Sequence, residues 1–141
     1  LNSLINLVKE LSIDQHVTFI DFIPDTDLKK IYSASKVYVM ASRTLHKTGD
    51  SEGFGITFLE ANACGCPVIG SYEGGIPDAV ENEVNGLLVP SDSPSDIALA
   101  IKKMFSNEDY RIGLVNKGMK RVSESFTWEK LTIQMMDMLN K

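Results

Sequence analysis

The chain has 141 residues, a formal net charge of −5 and 43% hydrophobic residues. This length and apolar content suit one folded domain and exclude disordered and fibrous proteins. The acidic balance, without a basic block, excludes nucleic acid as the main partner, because duplex binding depends on Lys and Arg neutralising phosphates. No apolar run approaches the roughly 18 to 20 residues that cross a bilayer, so we expect a cytoplasmic protein.

The first forty residues predict helix, strand, helix and strand in turn. Apolar residues at helical spacing predict the first helix over 4–11, and alternating apolar residues predict a strand over 17–22. Pro24 ends that strand, and Asp or Thr just after it is expected to cap a helix over 25–35. A second short strand follows at 37–40.

The alternation continues after a polar loop over 42–51. A helix over 56–64 is ended by Gly65, and a buried strand is predicted at 67–69. The remaining predictions are a brief helix at 77–81, a strand at 87–89, a helix with Ile97, Ile101, Met104 and Phe105 on one face, and helices at about 109–124 and 128–139.

The two cysteines, Cys64 and Cys66, flank a single glycine. They are too close for easy disulfide geometry and lack the CxxC spacing of redox or zinc sites. We therefore predict buried, inert thiols.

Strands that alternate with helices, at a spacing that allows crossovers, predict a Rossmann-like α/β fold with helices on both faces of a parallel sheet. Ligands of such sheets bind beyond the carboxyl ends of the strands. The candidate site therefore lies in the loops that follow Phe22, Met40, Gly70 and Val89.

An acidic residue, Glu52, stands before a Gly-x-Gly turn that opens a helix, and Glu60 lies one turn into that helix. Free amides at a helix start suit a phosphate, and the Glu60 carboxylate could accept two hydrogen bonds from a ribose diol. The candidate donor-binding backbone consists of Gly53, Phe54, Gly55, Ile56 and Thr57. On these residues alone, a common turn and a solvated surface charge are an equally good explanation.

Two further segments carry weaker signals. Gly74 and Gly75 could border a sugar pocket, because glycine permits close approach, but a turn that needs positive φ explains them equally well. In the polar loop, Lys47 could contact phosphate or acceptor, although a loop tip without a role is the simpler interpretation.

The motif series resembles the retaining GT4-type glycosyltransferases of the GT-B fold, called group 1, in order and spacing. Its parts are the run from Glu52 to Ala61 with an E-x7-E pattern, then Cys64 to Ile69, Gly74 to Asp78, and Asn85 to Val89. The resemblance extends nearly over the whole chain. It implies that residues 1–141 form a partial C-terminal, nucleotide-sugar-binding domain.

The resemblance also implies roles for the site residues. Glu60 would bind the donor ribose, and Glu52, as the catalytic residue, would face the transferred sugar and stabilise it. The backbone of 54–57 would hold sugar and diphosphate, and the loop after Phe22 would lie near the base. No metal or other cofactor is expected, in agreement with a sequence that has neither a DxD pair nor a His/Cys cluster.

The implied activity is retaining transfer of a hexosyl group from a nucleoside-diphosphate sugar to a saccharide or lipid-linked acceptor, as in polysaccharide biosynthesis. Family C-terminal domains begin with two further strands and follow an N-terminal acceptor domain. This chain lacks those parts, so we expect the segment alone to be inactive and any peripheral membrane association to occur through the absent domain. A non-catalytic nucleotide-sugar-binding or scaffolding module, and a related enzyme such as a glycogen or starch synthase or a sugar-nucleotide epimerase, remain alternatives.

Overall fold

A computed structural model describes residues 1–44 and 52–139. The helices and strands are α1 (Asn2–Glu10), α2 (Asp25–Ala34), β1 (Tyr38–Met40), α3 (Ile56–Ala63), β2 (Val68–Ser71), α4 (Ile76–Ala79), β3 (Gly86–Val89), α5 (Pro94–Ser106), α6 (Glu108–Ser125) and α7 (Trp128–Leu139), with one 3-10 turn at Asp14–His16. The prediction for Lys47 lies outside the described residues.

The three strands form a parallel sheet in the order β1-β2-β3. Tyr38 lies opposite Val68, which in turn lies opposite Gly86. Because side chains alternate along a strand, Val68 packs into one core cluster while its neighbour Ile69 packs into another. Side chains of α2, α3 and α4 share the first cluster, and those of α5 and α6 share the second. The predicted Rossmann-like sheet with helices on both faces is thus confirmed.

The prediction of a strand over 17–22 is wrong for the described residues. Val17 has extended backbone angles, with φ −121° and ψ 124°, but residues 17–20 pair with no strand of the described sheet. Extended backbone becomes a sheet strand only when a neighbour takes its hydrogen bonds. The side chains of Phe19, Ile20 and Phe22 are 43%, 59% and 80% exposed, so the segment is not packed into the core either.

Several side chains predicted on buried helix faces lie at the surface. Ile31, expected on the inner face of α2, is 37% exposed. Phe105 is 57% exposed because the adjacent Met104 occupies the buried position of α5, and the Lys36 ammonium lies 5.5 Å from the Phe105 ring centre. Helices α1 and α7 bury no residue, since no described element covers their apolar faces.

The predicted side-chain cap of α2 is also wrong. Pro24 occupies the cap position, and the helix start has no side-chain cap hydrogen bond from the described residues. The acidic residues Asp25 and Asp27 instead lie within the first turn, where the helix dipole favours negative charge.

Two buried asparagines join α3 to the start of β3. Asn85 donates to the Asn62 side-chain oxygen at 2.8 Å and to the Ala79 carbonyl at 3.0 Å, and it accepts from the Glu81 amide at 2.7 Å. Asn62 in turn donates to the carbonyls of Cys66 and Asn85. Every side-chain donor of the pair has a partner, so the cost of burying four amide atoms is offset.

Helix α6 crosses α3 at a glycine. A Cβ added to Gly118 would lie 2.9 Å from the Asn62 side-chain carbon, closer than real Cβ contacts. The close crossing places α6 behind the helix that carries the candidate site.

Candidate functional site

The turn over 52–55 and the Gly74-Gly75 turn are in direct contact. The Gly75 amide donates a hydrogen bond to the Glu52 carbonyl oxygen at 3.0 Å. A Cβ on Gly75 would overlap the Gly53 carbonyl oxygen. Close approach therefore explains Gly75, whereas Gly74, with φ +55°, supplies the positive φ of the turn. The turn thus explains both glycines by protein geometry, and a border with a sugar pocket stays a prediction.

Helix α3 begins at a glycine with left-handed backbone angles. Gly55 has φ 80° and ψ 51°, and no side chain of the described residues caps the helix. A Cβ at Gly55 would lie 2.6 Å from the Phe58 ring. The first amides of a helix have no intrahelical acceptor, so those of Ile56 and Thr57 point out of the helix start with the positive end of its dipole.

Two tyrosines of the first core cluster lie beneath α3. The Tyr38 hydroxyl, at the start of β1, donates to the Thr57 hydroxyl oxygen at 3.0 Å. Its ring makes edge contacts with the rings of Tyr32 and Phe58, at centroid distances of 5.5 and 5.6 Å. The aromatic contacts hold the first turn of α3 against the sheet.

Glu60 is exposed and lies between two clefts. One cleft, of about 420 Å³, lies between α2 and α3 and is lined by Asp25, Leu28, Lys29 and Tyr32. The other, of about 590 Å³, is largely apolar and runs from the turn over 52–55 to the start of α7. The carboxylate therefore faces space large enough for part of a ligand on both sides.

Tyr32 lines the cleft between α2 and α3 together with Glu60. Burial raises the pKa of its hydroxyl to about 12, and the nearby Tyr38 and Glu60 side chains add to the rise. The hydroxyl is thus protonated, and able to donate, at any physiological pH.

Phe54 is supported from behind by the junction between α6 and α7. Its ring centre lies 5.9 Å from that of Phe126, and the Arg121 guanidinium lies 5.3 Å from the Phe126 ring centre. Arg121 also bonds the Glu81 carboxylate at 3.0 Å and the Asp78 carbonyl at 3.2 Å. Sequence reasoning missed this support, because Phe126 lies 72 residues after Phe54 in the chain.

The predicted site residues divide into two groups. The structure brings together Gly53 to Thr57, Glu60 and the Gly74-Gly75 turn, with the half-buried Glu52 at the point where the two turns meet. Phe22 is 80% exposed on the loop before α2. The roles assigned to these residues stay predictions.

The titratable groups of the described residues form no metal centre. Across residues 1–44 and 52–139, no three His, Cys, Asp or Glu side chains lie close enough to hold a metal ion. Both cysteines are free thiols; Cys66 is buried, as predicted, whereas Cys64 is only partly buried. Burial raises the pKa of the Cys66 thiol to about 11, which makes it unreactive. No helix of the described part is long and apolar enough to span a bilayer.

The family model described as "Glycosyl transferases group 1" matches residues 1–121. The chain belongs to this glycosyltransferase family. The E-x7-E motif, the uncapped start of α3 and the Gly74-Gly75 turn are thus features of a group 1 glycosyltransferase domain.

Three proteins illustrate what this group 1 glycosyltransferase chain is similar to. It is 34% identical over 96% of its length to a D-inositol 3-phosphate glycosyltransferase of Saccharomonospora viridis, and covers 30% of that protein. It is 31% identical over 99% of its length to a GDP-mannose-dependent phosphatidylinositol monomannoside mannosyltransferase of Mycobacterium tuberculosis, and covers 36% of it. The sucrose-phosphate synthase structure of Thermosynechococcus elongatus superposes over 99% of the chain with a TM-score of 0.84 and 33% identity.

The chain covers 33% of that synthase, so it spans about a third of the length of each of these proteins. The superposition extends over nearly the entire chain. The arrangement of helices around the sheet is therefore the one found in the matching third of that synthase.

Proposed function

We propose that this chain supplies the nucleotide-sugar site of a glycosyltransferase that transfers a hexosyl group with retention at the anomeric carbon. The observation that carries the proposal is the pairing of an uncapped helix start with a carboxylate one turn later on the same helix. At about 1.5 Å per residue, Glu60 lies roughly 6 Å along the axis from Ile56. That separation suits a nucleotide whose phosphates meet the amides and whose ribose diol meets the carboxylate.

The names of the relatives support a nucleoside-diphosphate sugar as the donor. The Mycobacterium tuberculosis relative is named as dependent on GDP-mannose, and its acceptor is a phosphatidylinositol monomannoside. The Saccharomonospora viridis relative is named for D-inositol 3-phosphate. Of the two names, the phosphatidylinositol monomannoside supports the saccharide or lipid-linked acceptor that we propose.

In the proposed reaction, the bond between the sugar and the diphosphate breaks, and a bond from the acceptor oxygen forms on the same face of the sugar. The acceptor proton passes to the departing phosphate. Amides and dipole at the start of α3 stabilise the diphosphate charge in place of a metal ion. Glu52, whose carbonyl is held by the Gly75 amide, orients the transferred sugar and stabilises developing positive charge.

The complete enzyme in this proposal contains more than these 141 residues. Two additional strands at the start of the domain, and an acceptor domain before them, would close the cleft and supply basic phosphate contacts. On this basis we propose that the chain alone binds donor but does not transfer sugar. A cytoplasmic site of action, with membrane association through the acceptor domain, belongs to the same proposal.

The donor class is tested by screening UDP-, GDP- and ADP-sugars for thermal stabilisation of the full-length protein, since a ligand that binds only the native state raises its stability. Glu60→Ala is then expected to weaken binding of the best donor about tenfold or more, because hydrogen bonds to a charged group contribute roughly 1.5–3 kcal/mol. Glu10→Ala, an exposed carboxylate on α1, is the matched control. Calorimetry that gives equal affinity for Glu60→Ala and the control contradicts the assigned role.

A further inference from the structure

Arg121 of α6 joins α4 and the residues after it to the junction between α6 and α7. One terminal nitrogen of its guanidinium donates to the Glu81 carboxylate at 3.0 Å, and the other donates to the Asp78 carbonyl at 3.2 Å. The centre of the guanidinium lies 5.3 Å from the ring centre of Phe126. Only 27% of the side chain is exposed, so these contacts are mostly shielded from water.

Both segments that Arg121 contacts lead directly to the candidate site. Helix α4 begins immediately after Gly75, whose amide donates to a carbonyl of the turn over 52–55 at 3.0 Å. On the other side, the Phe126 ring centre lies 5.9 Å from that of Phe54, which belongs to the same turn. The contacts therefore form a closed ring that runs from this turn through Gly75, α4, Arg121 and Phe126 back to Phe54.

A closed ring of contacts limits the movement of each member, because a shift of one turn must strain a contact on either side of it. The guanidinium suits this task. It presents several N–H donors in one fixed plane and stacks on aromatic faces, so one group can bond α4 and also pack against a ring. The ammonium of lysine is a compact point charge and lacks this geometry.

We propose that Arg121 is a positioning residue that holds the turn over 52–55 and the Gly74-Gly75 turn in the arrangement that the donor requires. It acts through Asp78 and Phe126. This inference rests on the proposed function, in which the backbone of the first turn and the start of α3 hold the sugar and the diphosphate. A misplacement of about 1 Å can cost an enzyme about a hundredfold in rate, so a loosened ring is expected to weaken these contacts.

The test compares two probes on the full-length protein. They are the UDP-, GDP- or ADP-sugar that binds best and the nucleoside monophosphate with the same base, with both affinities measured by calorimetry. Because the monophosphate lacks the sugar and the second phosphate, the ratio of the two affinities isolates the contribution of those groups. A general loss of folded protein lowers both affinities alike and leaves the ratio unchanged.

Two substitutions of Arg121 break the ring to different extents. Arg121→Met keeps an apolar stem but removes the guanidinium, and we expect it to reduce the ratio about tenfold. Arg121→Lys keeps a positive charge near Glu81 but loses the planar donors, and we expect a reduction of about threefold. If Arg121→Met does not fold, Arg121→Lys alone decides the test.

Arg111→Met is the matched control. Arg111 also lies on α6, its side chain is 20% exposed, and it bonds the Glu108 carboxylate at 2.9 Å. Because Glu108 belongs to the same helix, this pair does not join α6 to another segment. We expect Arg111→Met to leave the ratio unchanged even where it lowers the melting temperature.

The wild-type ratio separates the two levels of the inference. A ratio reduced by the Arg121 variants, but not by Arg111→Met, supports the positioning role. A large wild-type ratio that the Arg121 variants leave unchanged, or that Arg111→Met reduces equally, overturns that role and leaves the proposed function intact. A wild-type ratio near one overturns the proposed contacts to the sugar and the second phosphate, and the positioning role with them.

Discussion

The central segment, residues 52–89, differs from the outer segments in how far its apolar side chains are buried. The outer segments are α1, residues 17–22 and α7. In the central segment, β2 and β3 are buried throughout, and Phe58, Ala61 and Ile76 are fully buried. In the outer segments, apolar side chains such as Phe22 and Trp128 are more than three-quarters exposed. Both kinds of segment have patterns typical of regular structure, but only the central one is covered by other described elements, namely α2, α5 and α6. Apolar periodicity thus predicts whether a segment forms a helix or a strand, but not whether another element packs against it.

The largest expected effect of breaking the central contacts comes from Gly75→Ala. The added methyl group would overlap the Gly53 carbonyl oxygen, and neither backbone can yield without moving the turn. We expect a loss of about 3 kcal/mol in the free energy of unfolding and a donor affinity too weak to measure, because overpacking against rigid atoms is costly. Urea unfolding and calorimetry of the full-length protein check both expectations.

Gly113→Ala is the control for that substitution. Nothing lies within 4 Å of a Cβ at this position in α6, so alanine is expected to be neutral or to stabilise the helix by up to about 1 kcal/mol. Equal stability losses for the two variants would contradict the close contact at Gly75.

A smaller effect is expected from Asn85→Ala. The change leaves the Asn62 oxygen and the Ala79 carbonyl without the donor they have now, in a site where both asparagines are at most 1% exposed. Unsatisfied buried groups cost about 1–3 kcal/mol, so we expect the free energy of unfolding to fall by about 2 kcal/mol.

Asn116→Ala, on the exposed face of α6, is expected to change that free energy by less than about 0.5 kcal/mol. Chemical denaturation of both variants would compare the central segment with a surface position. A small effect at both positions would mean that the buried amide pair adds nothing to stability.

The smallest effect is expected from alkaline pH. The pKa of Cys66 is raised from 9.0 to about 11 and that of Tyr32 from 10.0 to about 12 in the folded chain. Between about pH 9 and 12 the unfolded chain therefore releases protons that the folded chain retains, and stability falls as pH rises. We expect a loss of about 1 kcal/mol or more at pH 10 relative to pH 8.

Melting curves of the wild type and Cys66→Ala over this range would measure that loss. The variant is expected to lose less stability between pH 9 and 11, because it lacks the buried thiol. A wild-type stability that is constant from pH 8 to 11 would be inconsistent with buried, protonated side chains at these two positions.

Most of the central fold could be predicted because its signals are local. Helical spacing, glycine at the end of the α3 helix and short apolar runs predicted α3, β2 and β3 to within two or three residues. The strand over 17–22 could not be decided in this way, because a strand depends on a neighbour that the local pattern does not contain. The exposed Ile31 and Phe105 were mispredicted for a related reason: spacing defines a helix face, but the neighbouring elements determine how wide a stripe is buried.

The residues of the candidate site could likewise be predicted as a group. The distant aromatic side chains that pack around the site could not. Glycines and carboxylates at particular spacings are visible along the chain, whereas Tyr32 and Phe126 approach the site from positions 28 residues before Glu60 and 72 residues after Phe54. Single aromatic residues in apolar patterns do not reveal which distant group they contact. Such contacts arise only when helices pack on a common sheet.

By itself the sequence determined the α/β class, the family and the motif of two glutamates around a glycine turn, because each depends on residue type and spacing along the chain. The tertiary structure decided which glycine needs space and which needs positive φ, and it placed Tyr32 in the same cleft as Glu60. It also showed that α1 and α7 have uncovered apolar faces among the described residues. These outcomes depend on distances between segments remote in sequence, and such distances are set by packing of the whole chain.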